Sequence, residues 1–415
     1  MELLDKTYQA KERIKNVALH TSLMLNENLS GEFSAQIYLK REDLQPVRSY
    51  KLRGAYNKIV SLSNEEKSRG VVCASAGNHA QGVAYTCNKL NIKGTVFMPI
   101  TTPPQKIKQV KLFGKDKVEV VLQGDTFDEA SDKAHEFCKE DGAVFIHPFD
   151  DEKVIAGQGT IALEILEDAK SPIDYLFVPI GGGGVAAGII TVFKQLSPKT
   201  KIIGVEPSGA ASMKTSIKKE KNSTLNEVDN FVDGAAVKRV GDLNFEICKT
   251  GLEDIVLVPE GKVCTTILRL YNEEAIVVEP AGALTISALD FYEEQIQGAN
   301  VVCIVSGSNN DITRMQEIKE RSLLYEGLKH YFLIQFPQRP GVFKDFVNNV
   351  LGPNDDIVYF RYSKKNNRDS GPAVVGIELQ DPKDLHKIEL QLKQKKFTYQ
   401  YLNEHTDLFV IPTSY

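Results

Sequence analysis

Lys51 stands in the stretch RSYKLRGAYNKI, between Ser49-Tyr50 and Leu52-Arg53-Gly54. A lysine amine condenses with an aldehyde cofactor to an imine, and the nitrogen set free later serves as a base. That chemistry needs a partly desolvated amine, so that free base exists near neutral pH. Taken alone, Lys51 is one of 50 Lys and Arg residues, and a solvated surface charge is the competing reading.

Two glycine-rich turns give it a context. CASAGNHAQGVA, Cys73 to Ala84, follows a strand pattern and opens a helix pattern. With Ser75, Gly77 and Asn78 small or polar, the backbone amides at the helix start can face an anion such as a carboxylate. The same turn also reads as a capped strand-to-helix junction that holds no ligand. PIGGGGVAAG, Pro179 to Gly188, repeats the arrangement with four consecutive glycines. Without any Cβ, that backbone can wrap a phosphate closely. Gly182, Gly184 and Ala187 also satisfy the G-x-G-x-x-A dinucleotide pattern, and Glu206 ends the next strand, where a ribose-binding acid would sit. An NAD-dependent dehydrogenase therefore competes with a pyridoxal-type enzyme at this point.

The elements that position these turns read as strands alternating with helices. The strands are Val71 to Ala74, Gly94 to Pro99, Val118 to Leu122, Tyr175 to Ile180, Ile202 to Val205, Ile255 to Val258 and Val301 to Val305. Between them lie helices over Ala80 to Leu90, Gln105 to Phe113 and Thr126 to Glu140, the last capped by Asp125. This is an α/β pattern of βαβ units, with a mainly parallel sheet covered on both faces. Near Leu323 the pattern changes. Strand (Tyr331 to Phe336), helix (Val342 to Leu351), strand (Ile357 to Ser363), a polar hairpin NNRDSG, strand (Ala373 to Leu379), helix (Asp384 to Lys395) and strand (Phe397 to Leu402) spell βαββαβ, a ferredoxin-like α+β domain. A helix around Glu317 to Tyr325 joins it. The expected domains are 1–322, with a smaller subdomain over roughly 48–150, and 323–415.

Composition excludes several classes. The 415 residues are 42% hydrophobic and 25% charged, with net charge −5 and no long basic run, which argues against a nucleic-acid partner. The charged start MELLDKTYQAKER is no secretory signal. Leu176 to Phe193 carries no charge, but Pro179 and the glycines split it into strand, turn and helix, so no membrane span is expected. Six scattered cysteines without a CxxC pair suit reduced thiols in a cytoplasmic protein. The seven histidines form no HExxH motif.

In order along Ser49 to Asp311 stand SYKLRGAY, SAGNHAQGVA, AGQGT, GGGGVAAG, VEPAGA and SGSNND. Together they resemble the threonine/serine dehydratases among the fold-type-II pyridoxal-phosphate enzymes, whose catalytic part is tryptophan-synthase-β-like. The tail, GLKHYFLIQFPQRPGVFKDFVNNVLGPNDDIVYFRY, resembles the single ACT-like regulatory domain of the short biosynthetic threonine dehydratases. The resemblance implies pyridoxal 5'-phosphate as cofactor and L-threonine as substrate, deaminated to 2-oxobutanoate and ammonia at the head of isoleucine biosynthesis. L-serine, through a serine dehydratase or racemase, is the alternative within the family. It further implies that Lys51 forms the Schiff base and that Asn78 bonds the cofactor's ring hydroxyl. Gly181, Gly182, Gly183 and Gly184, with the Val185 amide, hold the phosphate, and Ser306 meets the pyridine nitrogen. The loop carrying Ser75, Gly77 and His79 receives the substrate carboxylate.

A neutral hydroxyl at Ser306 favours elimination over transamination, and the cofactor phosphate is a candidate proton donor to the leaving hydroxyl. Glu279 falls either near the imine or at a helix N-terminus. Serine racemases hold a cation with a Glu, a carbonyl and an Asp. Here Glu206 and Ala210 supply the first two, but Ser212 replaces the Asp, so no metal is expected. The tail is expected to bind isoleucine, with valine as the alternative, in a homo-oligomer, dimer or tetramer. A nonenzymatic amino-acid sensor is the reading from a different class.

Overall fold

The computed structural model describes residues 2–362 and 370–404. It divides into two units, Met1–Asp311 and Ile312–Tyr415. The division precedes Leu323, where the sequence pattern puts it, because the helix Met315–Tyr325 belongs to the second unit. Its Glu320 accepts a hydrogen bond from Tyr331 and pairs with Lys329.

In chain order the strands of the first unit are β1 (Leu23–Leu25), β2 (Gln36–Arg41), β3 (Val71–Ala74), β4 (Gly94–Met98), β5 (Val118–Leu122), β6 (Val144–Phe145), β7 (Tyr175–Pro179), β8 (Lys201–Pro207), β9 (Asp254–Val258) and β10 (Asn300–Val305). They form two sheets rather than one. The larger has the order β1-β2-β10-β7-β8-β9, and the smaller the order β5-β4-β3-β6. All pairs are parallel except β1 with β2. Strands buried on both faces read as unbroken apolar runs, which is why β3, β4, β7 and β10 stand out in the sequence. β1, β2 and β6 do not. β2 reads QIYLKR, yet Lys40 is fully buried, its ammonium bonded to Glu164 at 2.6 Å and to the Thr21 carbonyl.

The long helix of the smaller subdomain is Phe127–Asp141, and its cap is Thr126, not Asp125. Thr126 accepts from the Glu129 amide at 3.2 Å, and Glu129 reaches back to the Asp125 amide at 2.8 Å. Leu176 to Phe193 is split between β7 and the helix Gly184–Leu196. Among the described residues no helix is long and apolar enough to cross a membrane.

The helix Lys51–Val60 begins at the candidate nucleophile and is clamped by the helix Glu152–Asp168. Gly54 and Gly157 let the backbones meet: a Cβ on Gly157 would stand 2.6 Å from the Arg53 carbonyl. Arg53 itself is fully buried and bonds Glu42 and Glu164, each through two nitrogen–oxygen contacts of 2.6–2.8 Å. Paired charges this deep favour one arrangement of the helices because any other leaves a charge unpaired.

The second unit holds β11 (Lys329–Pro337), β12 (Asp356–Tyr362), β13 (Ser370–Glu378) and β14 (Thr398–Tyr401), with helices Val342–Asn349 and Asp384–Gln394. The sheet order β12-β13-β11-β14, all antiparallel, is the ferredoxin-like arrangement. Alternate residues Phe332, Ile334 and Phe336 of β11 face the core with Phe346, Val375, Ile377 and Leu392. Ser363 and most of the expected NNRDSG hairpin lie outside the described residues.

Candidate active site

Lys51 lies where the chain is tied to the C-terminal end of β10. The Tyr50 amide donates to the Ser306 carbonyl at 3.2 Å, and Ser49 bridges Gly307. Arg48, just upstream, takes a left-handed φ of 60°. The Lys51 ammonium donates to the Pro148 carbonyl at 2.9 Å. Burial pulls its pKa down to about 8, with the Glu279 charge opposing. A meaningful fraction of free amine near neutral pH is what imine chemistry requires.

The tetraglycine turn follows β7. Gly183 has φ 90° and precedes the helix Gly184–Leu196, whose first backbone bond is from Ala187 to the Gly183 carbonyl. The amides of Gly184, Val185 and Ala186 therefore lack carbonyl partners within the helix, as at any helix start. The cradle's outer wall is Phe149: a Cβ on Gly182 would overlap its ring. Asn244, fully buried, donates to the Gly182 carbonyl at 2.8 Å and to the Phe149 carbonyl at 3.1 Å. Its Oδ1 has no hydrogen-bond partner among the described residues.

On the opposite side, the helix Asn78–Leu90 makes its first backbone bond from Gln81 to Gly77, which leaves the Asn78, His79 and Ala80 amides open. Ser75 Oγ accepts from the Gly77 amide at 3.2 Å. The His79 ring turns away into the core, with Nε2 on the Ile146 carbonyl at 2.8 Å. Burial, then the Lys51 charge, push its pKa down to about 3. Only the backbone of His79 is left for a ligand in the loop.

Asn78 is held from two sides. Its Nδ2 donates to Glu279 Oε1 at 2.6 Å, and its Oδ1 accepts from Asn309 Nδ2 at 2.6 Å. Glu279 begins the helix Pro280–Ser287, but its side chain makes no capping bond there. Ser306 is buried, and its hydroxyl donates to the Ala281 carbonyl at 3.1 Å. To donate to a ring nitrogen it must release that carbonyl. Glu206 spends both oxygens on the amides of Met213 and Lys214, at 2.7 and 2.9 Å, and burial raises its pKa to about 7.

The structure thus joins Asn78 to Glu279 directly, links Ser306 to Lys51 through the Tyr50 amide and Glu279 to Gly307 beside Ser306, and ties Lys51 to the cradle through Pro148-Phe149. Sequence reading missed Pro148, Phe149, Asn244 and Asn309. HPFDD (147–151) has no glycine or nucleophile to announce it, although SGSNND, the motif that carries Ser306, already contains Asn309.

Residues 14–307 match the family described as pyridoxal-phosphate dependent enzymes, which sets the class of the first unit. Residues 320–410 match the C-terminal regulatory domain of threonine dehydratase. The biosynthetic L-threonine dehydratase of Halalkalibacterium halodurans is 57% identical over 96% of each chain. That of Bacillus subtilis is 56% identical over 97% of this chain and 95% of its own. The processed form of threonine deaminase isoform 2 from Solanum lycopersicum is 44% identical with a TM-score of 0.73, covering 77% of this chain and 89% of its own. This chain belongs to the biosynthetic L-threonine dehydratase family. That membership sets aside both the nicotinamide dehydrogenase and the nonenzymatic sensor.

The cofactor of the class is pyridoxal phosphate, and the residues present fit it. The cradle offers open amides and no Cβ for a phosphate, and a part-neutral amine stands ready for an aldehyde.

Proposed function

We propose that this chain deaminates L-threonine to 2-oxobutanoate and ammonia, the first step toward isoleucine, by eliminating the β-hydroxyl. The observation that carries the reading is the Lys51 amine. It is part-buried, held by one carbonyl, and its pKa is pulled down to about 8, in a chain of the dehydratase family. When bound, the cofactor supplies the covalent link to substrate nitrogen and an electron sink for the α-carbon.

The chain's residues do the rest. Lys51 would hold the cofactor aldehyde, and its free amine would take the proton from the substrate's α-carbon. Gly181, Gly182, Gly183 and Gly184 with the Val185 amide hold the phosphate. Asn78 would donate to the ring hydroxyl, and Ser306 would meet the ring nitrogen. The backbone of the loop Ser75, Gly77 and His79 receives the substrate carboxylate. The enamine released then tautomerises and hydrolyses in water. Catalysis belongs to the first unit, Met1–Asp311, with the smaller subdomain spanning roughly 48–150, and regulation to the second, Ile312–Tyr415, rather than to parts divided at 322/323.

That regulatory part binds isoleucine, with valine as the competing ligand. The exposed Val358 and Phe360 on β12, an edge strand, support association of copies as a dimer or tetramer. The location is the cytoplasm, which the scattered free cysteines support. The test is kcat/KM for threonine against serine, with and without isoleucine. Preference for threonine and a fall in threonine turnover with isoleucine are expected. Preference for serine, or indifference to isoleucine, would overturn the corresponding part.

A further inference from the structure

The polarity of the bonds around Asn78 can be traced from one end. The Val47 carbonyl can only accept, so the Asn309 group 3.0 Å from it is the amide nitrogen. That same Nδ2 donates to Asn78 Oδ1 at 2.6 Å. The Asn78 amide is thereby oriented, and its Nδ2 points to Glu279 Oε1 at 2.6 Å. The other carboxylate oxygen, Oε2, accepts from the Asn309 backbone amide at 3.2 Å, a group that can only donate. Both Glu279 oxygens therefore face obligate donors, and the ionised carboxylate, with a full acceptor at each oxygen, satisfies them best.

Two glycines keep the pocket tight. A Cβ on Gly307 would stand 2.6 Å from Glu279 Oε1, and one on Gly234 would stand 3.4 Å from it. Glu279 is 4% exposed, so no water competes easily for its oxygens.

We propose that Glu279 is a positioning residue for the cofactor: with Asn309 it locks the Asn78 amide so that its second Nδ2 hydrogen, and not its oxygen, faces the cofactor ring. This rests on the proposed pyridoxal-phosphate site at Lys51. The amide cannot flip without setting Oδ1 against a carboxylate and an N–H against an N–H. Asn78 then offers the ring hydroxyl a donor, which stabilises that oxygen as an anion.

The lock opens in acid. The charged and titratable groups around Glu279 are Lys51 and Tyr50 at the start of the nucleophile helix, Asp233 beside Gly234, and Lys106 on the helix Pro104–Gly114. Burial first, then Asp233, raise the Glu279 pKa to about 7, against the bonds from Asn78 and Asn309 and the Lys106 charge. Above pH 7 the carboxylate accepts both bonds. Below it, the added proton removes the charge that strengthens both bonds, and the lock weakens.

The test is titration of pyridoxal phosphate into apoprotein between pH 6 and 8.5, followed by cofactor absorbance. For the parent, the dissociation constant should fall as pH rises through about 7. In Glu279→Gln it should be at least about tenfold weaker at pH 8, the scale of one mismatched bond to a charged group, and it should lose the step near pH 7 while keeping the fall that deprotonation of Lys51 brings near pH 8. A second variant, Asn309→Ala, keeps Glu279 and removes the donor to Asn78. It should weaken binding and retain the inflection. Far-UV circular dichroism of each apoprotein establishes that it is folded, and if Glu279→Gln does not fold, Asn309→Ala decides. Parent-like affinity and pH dependence in Glu279→Gln, or parent-like affinity in Asn309→Ala, would overturn the proposal. Failure of the parent itself to bind the cofactor would instead overturn the reading of the site on which it rests.

Discussion

Lys51 carries a cost that can be measured without any cofactor. It titrates near pH 8 in the fold against about 10.5 in the unfolded chain, so between those values the unfolded state binds more protons and stability rises with pH. The penalty for burying the charge is complete below pH 8 and gone by pH 10.5. Lys51→Met should therefore make the apoprotein more stable at pH 7, by about 1 kcal/mol once partial exposure is discounted. The advantage should vanish near pH 10.5. Urea unfolding of parent and variant at the two pH values checks this, and a destabilised variant at pH 7 would count against a strained, desolvated amine. The stability given up is of the kind commonly found where a fold holds a reactive group.

At the scale of elements, the glycine turn and the HPFDD segment form one unit. Phe149 packs where a Gly182 side chain would lie, and its neighbour Pro148 holds the Lys51 amine. Gly182→Ala should push Phe149 aside, disturb Lys51 and weaken cofactor binding by about tenfold or more. Phe149→Leu added to it should recover part of both the melting temperature and the affinity. If the double variant binds no better than Gly182→Ala, the clash is not the cause. The coupling shows what a sequence can and cannot disclose. The tetraglycine turn, SAGNHAQ and SYKLRG were legible because each does its work within a dozen residues. The links between them were not: Lys51 with Pro148, Asn78 with Glu279 and Asn309, and Gly182 with Asn244 join residues 62 to 231 positions apart. Strand β2 was hidden for a similar reason, since Lys40 looks exposed until its partner Glu164 is in place. His79 was legible as part of a ligand loop but not as a buried ring, because the carbonyl it bonds belongs to Ile146.

At the scale of the whole chain, the change from βαβ alternation to βαββαβ near Leu323 was readable in the strand and helix pattern alone. The helix Met315–Tyr325 was readable too, though not its allegiance, which a buried Tyr331–Glu320 bond decides. The chemistry of the first unit draws on both of its sheets: Asn78 starts a helix after β3 of the smaller sheet, while Ser306 and Asn309 follow β10 of the larger. The account of the catalytic unit is tested most directly by reducing the cofactor-loaded protein with borohydride and mapping the modified peptide. It predicts cofactor fixed on Lys51, and a Lys51→Ala variant that fixes none and loses threonine deamination. Label on another lysine, or undiminished deamination by Lys51→Ala, would contradict it.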